Sequence, residues 1–259
     1  MLTEQRYELI LELLKQKKSV TVSEVKELLH TSESTVRRDI TALHNAGKLV
    51  KVFGGAVAAE NTFTPQEPTV AQKIAVNKEE KRLIARYAAS LIETDDFVYL
   101  DAGTTTGYML DYLIGKKATF VTNAVAHAQK LAAYGIKVFL VGGELKSSTE
   151  AVVGNQAMEV LYQYHFTKGF FGTNGITKKA GFTTPDANEA LIKKTALGQC
   201  RKGDILSDVS KFDHVSSVTF AALHDAVILT DRRPEGYQDC DNILEIKVDK
   251  EEFFEYSVI

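Results

Sequence analysis

The stretch LLHTSESTVRRDITALHNAGKLVKVFGGA, residues 28–56, decides how the N-terminal end of this chain folds. Val36, Ile40 and Leu43 recur at helical spacing and predict a buried stripe. Ser32 is placed to cap the helix, with Glu33 in its first turn. At 3.6 residues per turn, Ser34, Arg38 and Thr41 fall on the opposite side, with Arg37 at its edge. Gly47 is the expected breaker. KLVKVFGGAV then reads as a hairpin turned at Gly54-Gly55, carrying Lys48 and Lys51.

Upstream, Tyr7, Ile10, Leu11 and Leu14 predict a first amphipathic helix. Thr21 and Glu24 fit a capping box, and Val20 and Val25 fit the apolar staple around it. Val25, Leu28 and Leu29 are the expected buried stripe of a short second helix. Three short helices and a hairpin describe a winged helix-turn-helix. A basic third helix suits the major groove, where arginine pairs with guanine and hydroxyls reach bases or phosphates. The expected DNA-facing set is Ser32, Ser34, Thr35, Arg37, Arg38, Thr41, Lys48, Lys51, Gly54 and Gly55. The competing reading is a solvated charged face on an unrelated three-helix bundle. For Lys15, Lys17 and Lys18 the solvated reading is preferred.

Charge divides along the chain. Residues 1–57 hold nine Lys/Arg against seven Asp/Glu, a net +2. The remainder holds 22 of the 31 basic and 27 of the 34 acidic residues, a net −5. A basic head on an acidic body predicts two modules with two tasks. The expected boundaries are a head at 1–57, a linker at 58–73 around Pro65 and Pro68, and a larger domain at 74–259. No apolar run approaches a membrane span, and the first residues lack a signal-peptide pattern. Cys200 and Cys240 stand far apart without metal spacing, so two reduced thiols in a cytoplasmic protein are expected, with no metal and no cofactor.

The larger domain alternates helix and strand, which predicts an α/β fold with a mainly parallel sheet. NKEEKRLIARYAASLIE reads as a long helix, and ATFVTN, KVFLVGG, KGFFGTNGIT, DILSD, DAVILTD and ILEIKV as strand-length runs. Ligands in such sheets bind beyond the carboxyl ends of strands. LDAGTTTGYML, residues 100–110, runs from a strand through Gly103 and three threonines into a helix, the chemistry of a phosphate cup. It lacks the Gly-Lys-Ser/Thr of a P-loop and has no GxGxxG. A capped helix with nothing bound is the alternative. Asp101 either accepts sugar hydroxyls or holds the loop. Thr122-Asn123, Gly142-Gly143, Gly172 to Gly175 and Lys211 are further strand-end positions. His127, His165, His214 and His224 share no spacing and read as structural or surface residues.

The head sequence quoted above resembles the N-terminal signature of the DeoR family of bacterial transcriptional regulators. LDAGTTT, VTN, VGGELK, FFGTNGIT, GFTTPDANEALIKK and SDVSKF are similar, in order, to landmarks of that family's sensor domain. The resemblance implies a sensor fold similar to ribose 5-phosphate isomerase and a homo-oligomer, dimer or tetramer, on double-stranded operator DNA. It also implies a phosphorylated sugar effector that modulates repression of a sugar operon. Gly103, Thr104, Thr105 and Thr106 would then hold the phosphate. Asp101, Thr122, Asn123, Gly142, Gly143, Gly172, Asn174 and Lys211 would lie around the sugar. Similarity to fructose-operon repressors of low-GC Gram-positive bacteria implies fructose 1-phosphate, with tagatose 6-phosphate next.

The competing class is a sugar-phosphate isomerase with a DNA-binding head. Isomerisation needs a carboxylate base beside the carbonyl. Isomerases of the similar fold carry an acidic loop where this chain has GTNGIT, which leaves Glu189 as the one base to consider. The expectation is therefore a regulator and not an enzyme.

Overall fold

The computed structural model describes residues 3–17, 19–46, 48–52, 54–58 and 70–247. Lys18, Gly47, Pro65 and Pro68, to which the sequence reading gave roles, lie outside the described residues. The chain forms two compact units, Met1–Thr62 and Phe63–Ile259.

The first unit runs α1 (Thr3–Lys17), β1 (Ser19–Thr21), α2 (Val22–Leu29), α3 (Glu33–Asn45), β2 (Leu49–Val52) and β3 (Gly55–Ala58). The capping box forms in full. Thr21 N donates to Glu24 Oε2 at 2.8 Å, and Glu24 N donates to Thr21 Oγ1 at 3.1 Å. Helix α2 ends at His30, whose left-handed φ of 47° turns the chain sharply into α3. Ser32 caps α3, accepting from Thr35 N at 3.2 Å. Ile10, Val25, Val36, Ile40 and Leu43 fill one core, each fully buried side chain contributing roughly 1.5–3 kcal/mol.

Two features differ from the sequence reading. Leu28 is 44% exposed, and Val22 takes its place beside Val25 and Leu29, because α2 begins right after Thr21 and turns that face inward. The wing has a third strand, since β1 pairs antiparallel with β3, which also pairs with β2.

The second unit opens with α4 (Val70–Ile74), α5 (Lys78–Ser90), β4 (Phe97–Leu100), α6 (Thr104–Met109), β5 (Thr119–Thr122), α7 (Val125–Ala133) and β6 (Val138–Leu140). There follow β7 (Glu144–Lys146), β8 (Ala151–Val153), α8 (Asn155–Tyr162), β9 (Lys168–Gly172), β10 (Gly175–Thr177) and β11 (Gly181–Thr184). The unit ends with α9 (Ala187–Gly198), β12 (Gly203–Leu206), β13 (Val218–Ala221), β14 (Val227–Thr230) and β15 (Ile243–Glu245). Residues 70–73, expected in the linker, open α4 instead, which Tyr108 of α6 holds by donating to Ile74 O at 2.9 Å.

Seven strands form one sheet in the order β15-β14-β12-β9-β4-β5-β6, and every pairing in it is parallel. Both faces are buried, as a parallel sheet requires. Val98, Leu100, Phe120 and Phe170 enter one core with α5 and α6, while Tyr99, Val121, Phe171 and Ile205 enter the other with α8 and α9. Antiparallel additions are the β7–β8 hairpin and the β10-β11-β13 sheet. From β4 the chain builds outward through β5 and β6, then returns to the other side of β4 with β9. The strand order therefore reverses between β4 and β9, the place where open α/β sheets bind ligands.

Candidate nucleic-acid interface and sensor site

On α3 the buried residues are Val36, Asp39, Ile40 and Leu43. Ser34 and Arg38 are exposed on the opposite side, and Thr41 is half-buried. The two arginines differ. Arg37 is held by Glu33 one turn back, with Nη2 to Oε1 at 2.5 Å, whereas Arg38 makes no ion pair among the described residues. Thr41 Oγ1 donates to Arg37 O at 2.7 Å and accepts from Lys51 Nζ at 3.0 Å. The wing lysine is thus tied to the helix it flanks. Lys48 is exposed.

The hydroxyls at the start of α3 hold one another. Ser32 Oγ lies 2.9 Å from Ser34 Oγ and 2.8 Å from Thr35 Oγ1. Gly54 is exposed at φ +82°, a conformation that favours glycine. Gly55, expected at the DNA, is instead buried against β1, where a side chain would run into Val20 O. The sequence reading missed Asn45, exposed two turns beyond Arg38 and on its side of the helix. It also missed Asp39, buried and bound by Arg6 at 2.6 and 3.0 Å, which pins α1 to α3.

At the β4–β9 reversal, Gly103 lies alongside Gly172, where a Cβ on Gly103 would make an ordinary contact, 3.5 Å, with Gly172 Cα. Gly103 is the N-cap of α6, and no side chain caps that helix start. Asp101, 2% exposed, accepts from Gly172 N at 2.8 Å and from the ammonium of Lys193. Lys193 Nζ also donates to Gly172 O at 3.0 Å. Asp101 therefore holds the two strand ends together.

Several other expected residues also turn inward. Thr106 is fully buried, its hydroxyl 2.7 Å from both Asp101 O and Gly103 O. Thr122 Oγ1 accepts from Ala124 N at 3.1 Å. Asn123 accepts from Tyr99 OH at 3.0 Å and donates to Val152 O at 3.1 Å, joining β5 to β8. These three side chains brace the loops rather than present groups to a ligand. Thr105 is buried, Thr104, Gly172 and Asn174 are half-buried, and Gly142 and Gly143 are exposed ahead of β7. Asn174 Oδ1 accepts from Thr184 Oγ1 at 3.2 Å.

Lys211, past the carboxyl end of β12, has a partner that the sequence reading missed. Lys81 of α5 is buried and donates to Lys73 O at 2.5 Å. Burial and the nearby Lys211 push its ammonium down to about 8, against the opposing pull of Asp208. Asp208 accepts from Asn77 Nδ2 at 2.8 Å and from Ser210 N at 3.0 Å. Lys81 shares the buried stripe of α5 with Ile84, Ala85 and Ala88. Its burial becomes visible only once the inward face of α5 is known, and the same holds for Lys193 on the inward face of α9.

Glu189 is engaged as well. It accepts from Thr149 Oγ1 at 2.5 Å and pairs with Lys146 at 3.1 Å. Lys146 also pairs with Asp186 at 3.2 Å. Burial pushes the Asp186 carboxyl up, but the Glu189 N–H and Lys146 hold it below its ordinary value. Cys200 and Cys240 are unpaired. Among the described residues no group of His, Cys, Asp and Glu forms a metal cluster, and no helix is long and apolar enough to cross a membrane.

A winged head followed in the chain by a parallel α/β unit, with a lysine and glycine loops at its strand reversal, defines a DNA-binding regulator with a sensor domain. The DeoR-like helix-turn-helix domain matches residues 6–62, and the DeoR C terminal sensor domain matches residues 76–232. The chain belongs to the DeoR family: it is a transcriptional regulator, not an enzyme. An uncharacterized HTH-type transcriptional regulator named FruR, from Bacillus subtilis strain 168, is 42% identical over 89% of this chain and 91% of its own length. The lactose phosphotransferase system repressor of Streptococcus mutans is 34% identical over 85% and 88%. A ribose 5-phosphate isomerase A structure from Methanocaldococcus jannaschii superposes with a TM-score of 0.40 at 14% identity, over 52% of this chain and 55% of its own.

Proposed function

We propose that this chain represses a sugar uptake or catabolism operon and that a phosphorylated sugar, bound in the second unit, alters its grip on the operator. One observation carries the effector class. Lys211, past the end of a central strand, lies near enough to the buried Lys81 of α5 that its charge helps push that ammonium down. Two crowded ammonium groups gain most from a dianion, and phosphate is the dianion this site suits. The uncapped start of α6 adds backbone N–H groups that favour negative charge.

The effector we favour is fructose 1-phosphate, then tagatose 6-phosphate, in keeping with one relative named FruR and another named a lactose phosphotransferase system repressor. The functional boundaries we favour are a DNA-binding head at 1–57, a linker that begins at 58 and ends before α4 at Val70, and a sensor over the remainder. The working form is a cytoplasmic homo-oligomer, dimer or tetramer, because two heads related by two-fold symmetry read repeated half-sites. A ligand shifts operator occupancy only through unequal affinity for the DNA-competent and incompetent states.

The test is a gel shift on the DNA upstream of the protein's own gene, titrated with sugar phosphates and the matching free sugars. A phosphorylated sugar is expected to change operator affinity while the free sugar does not. Equal responses to both, or none across the panel, would remove the effector assignment.

A further inference from the structure

His127 is 8% exposed in the first turn of α7, just past the end of β5. Its Nδ1 is fully buried without a hydrogen-bond partner. Among the described residues only one other buried side-chain atom, Asn242 Oδ1, is in this position. A buried polar atom left unpaired costs roughly 1–3 kcal/mol, so it calls for a missing partner.

The surroundings of the ring place it against α6. Nε2 faces Gly107 on α6, the helix that starts at Gly103, and a Cβ on residue 107 would approach it to 3.0 Å. Any side chain there would crowd the imidazole. The ring also feels the charge of Asp101, whose carboxylate closes the β4–β9 reversal. His127 thus stands between the two helices that follow β4 and β5, beside the loop assigned to the effector.

Chemistry narrows the partner further. Burial holds this imidazole neutral, down to about 4, against the pull of Asp101. A neutral imidazole presents one donor and one acceptor. A sugar hydroxyl can both give and take a hydrogen bond and so satisfies Nδ1 in either tautomer, whereas a phosphate dianion satisfies it only where Nδ1 carries the proton. We infer that His127 contacts a hydroxyl of the sugar phosphate and reads the sugar. This inference rests on the effector reading above.

The experiment follows operator release by the full-length chain, using fluorescence anisotropy of a labelled operator duplex. Fructose 1-phosphate, tagatose 6-phosphate and inorganic phosphate are the probes. His127→Phe keeps the bulk and removes both nitrogens, and His127→Gln keeps a donor and an acceptor. The expected result is a half-effective concentration of the active sugar phosphate raised about tenfold or more in His127→Phe. His127→Gln should fall between it and wild type, and the response to inorganic phosphate should move far less. A thermal melt establishes that each variant is folded; if His127→Phe is not, the shift in His127→Gln alone decides. A responsive wild type with an unshifted variant means the Nδ1 partner is a bound water, and overturns this inference alone. A wild type unresponsive to both sugar phosphates overturns the effector reading and this inference together.

Discussion

Replacing Arg38 and Arg37 by alanine, one at a time, should separate base reading from phosphate contact. Arg38 is exposed on the outer stripe of α3 and forms no ion pair among the described residues, so nothing in the head competes for it. Arg37 already shares its guanidinium with Glu33 at 2.5 Å, and must give up part of that contact to reach DNA. A bidentate arginine–guanine pair carries about 1–3 kcal/mol of discrimination. At about 1.4 kcal/mol per tenfold, Arg38→Ala should weaken operator binding roughly 5- to 150-fold. The loss should be concentrated at one base pair per half-site. Exposed i,i+4 pairs contribute only about 0.3–0.5 kcal/mol, so Arg37 loses little by exchanging Glu33 for a phosphate. Arg37→Ala should therefore weaken all sequences alike and flatten the salt dependence. The assay is anisotropy on the operator and on single-base variants at several salt concentrations. A uniform loss across sequences with a reduced salt slope for Arg38→Ala would refute this assignment of roles.

Ser32→Ala removes the side-chain acceptor of Thr35 N and should cost about 1 kcal/mol of head stability, read by thermal melting. Lys51→Ala frees Thr41 from the wing and should lower affinity for all DNA sequences together, measured against salt. Lys193→Met leaves the buried Asp101 carboxylate unpaired and should destabilise the second unit by about 3–5 kcal/mol, whereas Asp101→Asn with Lys193→Met should recover much of that in denaturant titration. The pH dependence of effector response follows from Lys81, whose value lies at about 8, below the ordinary 10.5. Between those values the unfolded chain binds the proton and the folded one does not, so this group makes stability rise with pH across that window. Binding a dianion requires the charged form, so effector affinity should fall as pH rises through about 8. Lys81→Gln should weaken the response and abolish that fall, as calorimetry at pH 7 and 9 would show.

What the sequence made legible was periodicity and chain-local chemistry. The Thr21–Glu24 box, the Ser32 cap and the Val36-Ile40-Leu43 stripe involve residues a few positions apart, and all are seen. The strand-to-helix course of residues 95–110 was legible for the same reason. Partners far apart in the chain were not. Asp39 sits 33 residues from Arg6, and Asp101 sits 92 from Lys193, so neither pairing leaves a local pattern. Hydroxyl-rich loops misled in a consistent direction. Thr106, Thr122 and Asn123 look like ligand donors in sequence, but strand-end loops have orphan backbone groups of their own, and these side chains satisfy them first. Lys81 was hidden because a single cation in an amphipathic helix reads as solvated until its face is known to be buried.

The same bookkeeping of partners fits a regulator better than a sugar-phosphate isomerase. Sugar-phosphate isomerisation needs a carboxylate free to take a proton beside a carbonyl. The carboxylates gathered here are already committed. Asp101 is held by Gly172 N and Lys193, and Asp208 by Asn77 and Ser210. Asp186 caps α9 through Glu189 N and pairs with Lys146, which also pairs with Glu189. Glu189 is further bound by Thr149, so its carboxylate is committed to two partners. The GTNGIT loop supplies glycine, threonine and asparagine, whose hydroxyl and amide groups brace β9, β10 and β11. With these carboxylates fixed, none of them is a free base for isomerisation, which agrees with the effector-binding role proposed for the second unit.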